Sequence, residues 1–182
     1  YLVKDVNKLS FVFHEAFAIA KNGRPGPVLI DIPKDVQFAK GDFLKPKEIS
    51  IQPHRLFNPK VKGNENQIEE ATKLISNAKK PIFYIGGGCI NSGPKAAKLV
   101  SEFVKLTNIP STMTLMGLGT LPASDPHSLG MVGMHGNYGP NLLTNECDLL
   151  IAIGMRFDDR VTGRLEDYAK QAKVIHFEID PA

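Results

Sequence analysis

No apolar run in this chain approaches the ~20 residues that a helix needs to cross a bilayer, so no membrane span is expected. Charge of one sign is scarce too. The 22 Lys and Arg stand against 19 Asp and Glu, a net charge of +3, and no dense basic run occurs. Nucleic acid and an anionic membrane surface are therefore not the expected partners. The two cysteines, Cys89 and Cys147, are far apart and form no metal-binding or redox spacing. They fit a reducing compartment and read as small packed hydrophobes. The chain opens Tyr1-Leu2-Val3-Lys4-Asp5, with neither a signal peptide nor an initiator methionine, and a fragment of a longer protein is the expectation.

The remaining composition is that of a globular domain, with 42% hydrophobic residues. A length of 182 residues suits one domain, or one domain with part of another. The most informative stretch is Gly154-Met155-Arg156-Phe157-Asp158-Asp159-Arg160-Val161-Thr162-Gly163. It follows Asp148-Leu149-Leu150-Ile151-Ala152-Ile153, an apolar run of strand length. A buried parallel strand is expected to end at Gly154 and open into a loop bearing both charges. Ligands of open α/β sheets bind outside the carboxyl ends of the strands. Arg156 and Arg160 offer two guanidinium forks suited to a diphosphate. The competing reading is a solvated loop of mutually neutralising ion pairs.

Residues 6–21 read as a helix, with Leu9, Phe13, Phe17 and Ala20 on one face and Asn22-Gly23 as its stop. After the rigid turn Arg24-Pro25-Gly26-Pro27, residues 28–32 read as a buried strand ended by Pro33. Residues 1–34 are thus expected to be the last α-β unit of one domain. Residues 35–66 hold three prolines (Pro46, Pro53 and Pro59), several lysines and no sustained period, and read as an interdomain linker. Residues 67–182 alternate helix and strand. Helices are expected over 67–77, 94–107, 137–145 and 164–170. Strands are expected over 81–85, 109–113, 148–153 and 174–179, and residues 120–136 read as loop. This pattern predicts an α/β fold: a parallel sheet with right-handed crossovers and helices on both faces.

The strand ends carry glycine: Gly86-Gly87-Gly88, Gly117 with Gly119, and Gly154. A nucleotide lying on that edge would meet backbone N–H groups and helix N-termini. Glu178, at the end of the last strand, is placed to accept ribose hydroxyls. The spacing after the first strand is not G-x-G-x-x-G, because Asn91 stands at the third place. Each glycine taken singly is also accounted for by a tight turn. His135 has no evident nucleophile or acid partner and reads as part of a loop pressed against a ligand, or as a histidine satisfied by backbone. Met134 reads as an apolar contact for a flat ring or as core packing.

These residues resemble the acetolactate synthase (acetohydroxyacid synthase) family of thiamine-diphosphate enzymes. The resemblance rests on Arg156–Gly163 and on Gly23-Arg24-Pro25-Gly26-Pro27-Val28-Leu29-Ile30-Asp31-Ile32-Pro33-Lys34-Asp35-Val36. It extends over Thr114-Leu115-Met116-Gly117-Leu118-Gly119, Gly130-Met131-Val132-Gly133-Met134-His135-Gly136 and His176-Phe177-Glu178-Ile179-Asp180. It implies a catalytic subunit with a pyrimidine-binding domain, a Rossmann-like central FAD-binding domain and a diphosphate-binding domain. Residues 1–34 would end the first, 35–66 would link, and 67–182 would form most of the second. The family joins two pyruvates, or pyruvate and 2-oxobutanoate, with loss of carbon dioxide, using thiamine diphosphate and magnesium.

By the same resemblance, FAD would contact Arg24, Gly86, Gly87, Gly88, Thr114, Leu115, Gly133, Met134, His135, Gly154, Arg156, Asp158, Arg160, Val161, Glu178 and Ile179. Lys34, Met134 and Asp159 would lie near the substrate channel. The family's activating glutamate precedes residue 1, and its Gly-Asp-Gly…Asn motif for magnesium and diphosphate is not in this sequence. No catalytic residue and no metal ligand is therefore expected here, and the chain alone is expected to be inactive. The resemblance further implies 2-keto acid substrates, a homodimer or homotetramer, a regulatory subunit, and a location in the bacterial cytoplasm or an organellar stroma or matrix. Two other readings stand beside it: another flavin-containing thiamine enzyme, such as a pyruvate oxidase or glyoxylate carboligase, and a non-catalytic module binding FAD or NAD.

Overall fold

A computed structural model describes residues 1–45 and 61–180. Two compact units divide the chain, Tyr1–Val61 with Ile179–Ala182, and Lys62–Glu178.

In the first unit, the Asp5 side chain accepts the Asn7 N–H and caps a 3-10 turn, Val6–Lys8, that leads into α1 (Leu9–Lys21). Asn22 and Gly23 end the helix as read, Gly23 taking φ 61°. The expected apolar face is not the buried one. Ala16 is the buried residue of α1, while Phe13 is 37% and Phe17 62% exposed. The strand expected over 28–32 does not form either. Asp31 makes one isolated parallel bridge to Leu2, and Leu29 is exposed. β-Branched content supplies propensity, but a strand needs a partner along its length. The stretch read as linker contains α2 (Lys34–Phe38), entered from Pro33, and Val36 in it is buried. Pro fits a helix start because its fixed φ is already helical and no N–H is lost there. Positions 46–60 of that stretch lie outside the described residues.

The second unit begins with α3 (Glu65–Asn77), whose N-cap Asn64 accepts N–H groups of Asn66 and Gln67. Ala71 is buried with Leu74 and Ile75 against the core, but Ile68 is half exposed. β1 (Pro81–Ile85) leads into α4 (Gly87–Asn91), then α5 (Pro94–Thr107), with Pro at its start and Asn108 in the left-handed conformation at its end. β2 (Ser111–Met113) and β3 (Ser128–Met131) follow. β3 falls where a loop was read, because its Ser and Gly carry little strand propensity and it needs only one neighbour. α6 (Tyr138–Glu146), β4 (Leu149–Ile153), α7 (Asp159–Thr162) and β5 (Lys173–Phe177) complete the unit. In place of the helix expected over 164–170 stand a 3-10 turn, Leu165–Asp167, and Ala169 at φ 43°.

The strands form one five-stranded parallel sheet in the order β3-β2-β1-β4-β5, the α/β architecture expected. Alternation along β1 and β4 sends Phe83, Ile85 and Ile151 to one face, against Val100 and Val104 of α5 and Ala71 of α3. It sends Ile82, Tyr84, Leu150 and Ala152 to the other, against Val132, Met155, Phe157, Val161 and Tyr168. Burial on both faces is why β1 and β4 read as unbroken apolar runs. Each fully buried Phe or Ile contributes about 2 kcal/mol from water exclusion. The chain runs outward from β1 to β3 and then returns to the other side of β1. The strand order therefore reverses between β1 and β4, the position where such sheets bind ligands.

Candidate functional site

Because all strands run parallel, their carboxyl ends share one edge. That edge gathers Gly86–Gly88 after β1, Thr114 and Leu115 after β2, Gly133–His135 after β3, Gly154–Val161 after β4, and Glu178 after β5. The β1 and β4 loops meet at the switch point and interlock. Gly154 takes φ 58°, donates its N–H to Phe177 O at 2.9 Å and accepts Gly88 N–H at 2.7 Å. A Cβ on Gly88 would lie 2.7 Å from Gly154 Cα, and one on Gly86 would collide with Gly154 O and Met155. Close backbone approach is what these glycines serve. The Gly86 and Gly88 amides, expected to face phosphate, are spent on Ile153 O at 2.9 Å and on Gly154 O.

The β4 loop is anchored by its apolar members. Met155 is 2% exposed. The Phe157 ring sits edge-on to Tyr84, Tyr168 and His176 at centroid distances of 6.2, 6.3 and 5.3 Å. His176 Nε2 donates to Met155 O at 2.7 Å and lies 3.8 Å from Glu178. Asp158 caps α7 and accepts Arg160 N–H. Its carboxylate pairs with Arg156 Nη2 at 2.6 Å and Arg160 Nε at 2.9 Å. The hydrogen bonds from Arg160 hold the Asp158 carboxyl down at about 2, so it remains an anion. Asp158 is largely covered while both guanidinium groups stay exposed, at 18% against 61% and 69%. Asp159 is 86% exposed and stands 3.6 Å from Arg160 Nε. The ion pairs of the neutralising reading are thus present. They also hold two guanidinium forks side by side at the switch point.

The β3 loop joins this assembly. Gly133, at φ 106°, gives its N–H to Asn141 Oδ1 at 2.9 Å, and its carbonyl accepts Asn141 Nδ2 at 3.0 Å. Met134 N–H donates to Arg160 O at 2.8 Å. After β2, Thr114 Oγ1 accepts Gly117 N–H and caps a 3-10 turn that leaves Leu115 and Met116 exposed. Leu115, Met116 and Met134 form the apolar margin of the edge, and His135 lies exposed beside them. Arg24, Lys34 and Ile179 belong to the first unit. There Arg24 pairs with Asp180 at 3.5 Å and Lys34 opens α2.

Asn141 and Phe157 were not singled out from the sequence. An Asn in the first turn of a helix that follows a Gly-rich loop was the available signal, because its amide readily bonds nearby backbone. Among the described residues no group of three His, Cys, Asp or Glu is placed to hold a metal ion. Burial pushes the Cys89 and Cys147 thiols up to about 11, leaving little thiolate at neutral pH. No helix among the described residues is long and apolar enough to cross a membrane.

The chain has known relatives. Along its whole length the chain is 46% identical to acetolactate synthase 1, chloroplastic, of Zea mays, and covers 28% of that protein. It is 48% identical to acetolactate synthase 2, chloroplastic, of Nicotiana tabacum, covering 27%. It is 45% identical to the acetolactate synthase isozyme 2 large subunit of Escherichia coli (strain K12), covering 32%. The chain therefore spans 27–32% of the length of these curated relatives. Residues 68–182, which carry the whole parallel sheet, match the family model described as "Thiamine pyrophosphate enzyme, central domain", and the chain belongs to that family.

Proposed function

We propose that this chain is the FAD-binding central region of an acetolactate synthase, with the FAD diphosphate held by Arg156 and Arg160. The observation that supports this most is the pairing of both guanidinium groups on the single Asp158 carboxylate at the strand-order reversal. The donor set fits the group. Two exposed forks suit the paired anionic oxygens of a diphosphate. Leu115 and Met134 offer apolar surface to a flat ring, Glu178 accepts ribose hydroxyls, and Gly86–Gly88 shape the edge by letting the β1 loop pack closely on the loops after β2 and β4. Gly133, His135, Gly154, Val161 and Thr114 shape the same edge, with Arg24 and Ile179 assigned to it by family resemblance. Lys34, Met134 and Asp159 border the substrate channel in this reading. Residues 1–34 end a preceding domain, 35–66 link, and 67–182 form the flavin domain.

The reaction of the whole protein joins two pyruvates, or pyruvate and 2-oxobutanoate, with loss of carbon dioxide. It is redox-neutral, so FAD serves structure rather than electron transfer. Thiamine diphosphate, when bound, supplies the electron sink for that chemistry. The Gly-Asp-Gly…Asn motif with which the family binds magnesium and diphosphate is not in this sequence. Thiamine diphosphate and Mg2+ are therefore assigned to other parts of a longer protein, and this chain alone forms no acetolactate. The name of the E. coli relative, a large subunit, supports a second kind of subunit, to which this reading assigns a regulatory role, and a homo-oligomer is part of the same reading. Related proteins named chloroplastic and an E. coli relative support a bacterial cytoplasm or an organellar stroma.

A fluorescence titration with FAD, run beside NAD and an Arg156→Ala variant, tests the reading. Saturable FAD binding that weakens in the variant is the expected result. NAD binding without FAD binding overturns it in favour of a non-catalytic dinucleotide module.

A further inference from the structure

We infer that Asn141 is a positioning residue of this site, clamping Gly133 so that the β3 loop grips the Arg160 carbonyl. The inference rests on the flavin reading above, and its test separates the two. β3 ends at Met131, so Gly133 has no neighbouring strand to satisfy its backbone. Gly133 is buried, and an unsatisfied N–H or C=O there is costly. Asn141, in the first turns of α6, serves both groups from one planar amide: Oδ1 accepts Gly133 N–H, which has no backbone partner among the described residues, and Nδ2 donates to Gly133 O, which also accepts Gly136 N–H at 2.9 Å. Nδ2 also donates to Asn137 O at 3.0 Å. One amide orientation satisfies all three groups, because the opposite flip would set Nδ2 against an N–H and Oδ1 against two carbonyls. Asn141 thereby imitates a strand partner.

The consequence reaches the arginine pair. With Gly133 held, Met134 N–H meets Arg160 O at 2.8 Å. Gly133 itself packs on Arg160 and Val161, where an added Cβ would lie 3.1 Å from Arg160 O and 3.2 Å from Val161 Cγ2. Arg160 is thus located from two sides, by the Asp158 carboxylate on its side chain and by the β3 loop on its carbonyl. Asn141 is not itself among the residues assigned to the ligand. It acts through Gly133 and Met134.

Asn141→Asp is the informative variant, since it keeps shape and the acceptor for Gly133 N–H but replaces the donor with an oxygen facing two carbonyls. A protonated carboxyl restores the donor, and a carboxyl facing two carbonyls holds its proton more tightly than usual. FAD affinity of Asn141→Asp, relative to wild type, is expected to be about tenfold weaker at about pH 8 and to recover toward about pH 5. Asn141→Ala is expected to stay weak at both. A residue serving only to fill space would show no such pH-dependent rescue. Amide exchange of the ligand-free chain gives a second readout. Gly133 and Met134 are expected to exchange about tenfold faster in Asn141→Ala, with Ile151 in the sheet unchanged. Wild-type FAD binding that weakens in Arg156→Ala but not in Asn141→Asp overturns the role of Asn141 and leaves the flavin reading standing. No FAD binding by the wild type overturns the flavin reading. Unchanged Met134 exchange in Asn141→Ala overturns the clamp whatever the ligand.

Discussion

Asp148 holds Lys80 from both sides: its carboxylate accepts Lys80 N–H at 2.9 Å, and its own N–H donates to Lys80 O at 3.2 Å. The carboxylate also accepts Lys79 N–H at 2.6 Å, and the Asp148 carbonyl accepts Lys173 N–H at 2.9 Å. One residue therefore ties together the starts of β1, β4 and β5, at the edge opposite the candidate site. Register set here carries along the strands to Gly86, Gly154 and Glu178.

Replacing Asp148 with Ala is expected to destabilise the chain by about 1 kcal/mol, the net scale of the exposed hydrogen bonds it loses. Burial alone would raise the Asp148 carboxyl, but the amides of Lys79 and Lys80 outweigh it and leave it below the ordinary carboxylate range. A folded value below the unfolded one gives stabilisation that is complete above the unfolded value and lost as pH falls through the folded one. Urea midpoints of wild type and Asp148→Ala should thus differ most near neutrality and converge below about pH 4. A constant gap across that range would assign the effect to something other than this carboxylate.

Gly88 and Gly139 should respond oppositely to alanine, although both lie in helices. Alanine normally favours a helix over glycine by about 1 kcal/mol. At Gly139 a Cβ meets nothing within 4 Å, so Gly139→Ala is expected to raise the melting temperature slightly. At Gly88 the Cβ would lie 2.7 Å from Gly154 Cα and 2.8 Å from Gly154 O, rigid backbone on both counts. Gly88→Ala is expected to cost about 1–3 kcal/mol and to weaken FAD binding, because the β1 and β4 loops must part. Thermal melts of the two variants decide it, and equal shifts would deny the interlock.

Much of this arrangement was legible in the sequence for a physical reason. Strands buried on both faces must be apolar throughout, so Pro81–Ile85 and Leu149–Ile153 announce themselves. α5 carries its own punctuation, Pro94 at one end and Asn108 at the other. Elements that depend on their neighbours were not legible. Ser128–Met131 is a strand because β2 lies beside it, whereas residues 28–32 have every local mark of a strand and, among the described residues, form a single isolated bridge, between Asp31 and Leu2. α7 is a single turn, Asp159–Thr162, too short for any periodicity to register. The shared sheet edge followed from strand–helix alternation and the glycines at strand ends. That Gly86 and Gly88 would spend their amides on β4, and that Asn141 would stand in for a strand at Gly133, are pairings made only in three dimensions.

Asp158 makes the sharpest claim about the site, because an anion beside a diphosphate should repel it unless its charge is already committed. Here it is, to Arg156 and Arg160 at 2.6 and 2.9 Å. Asp158→Asn removes the negative charge, which by itself favours an anionic ligand, but also releases both guanidinium groups from their shared anchor. If position outweighs charge, Asp158→Asn weakens FAD binding, by about tenfold for the lost charge-assisted hydrogen bonds. The remaining affinity should become more salt-sensitive, since two freed cations screen more readily than paired ones. The pH dependence has a fixed sign. The Asp158 carboxyl sits at about 2, so the clamp is fully present above the ordinary carboxylate value and is lost only as pH falls through about 2. Wild-type affinity should consequently show no Asp158 titration between about pH 5 and 8. Tighter FAD binding by Asp158→Asn at low and moderate salt would mean that the carboxylate opposes the diphosphate rather than arranging its receptors.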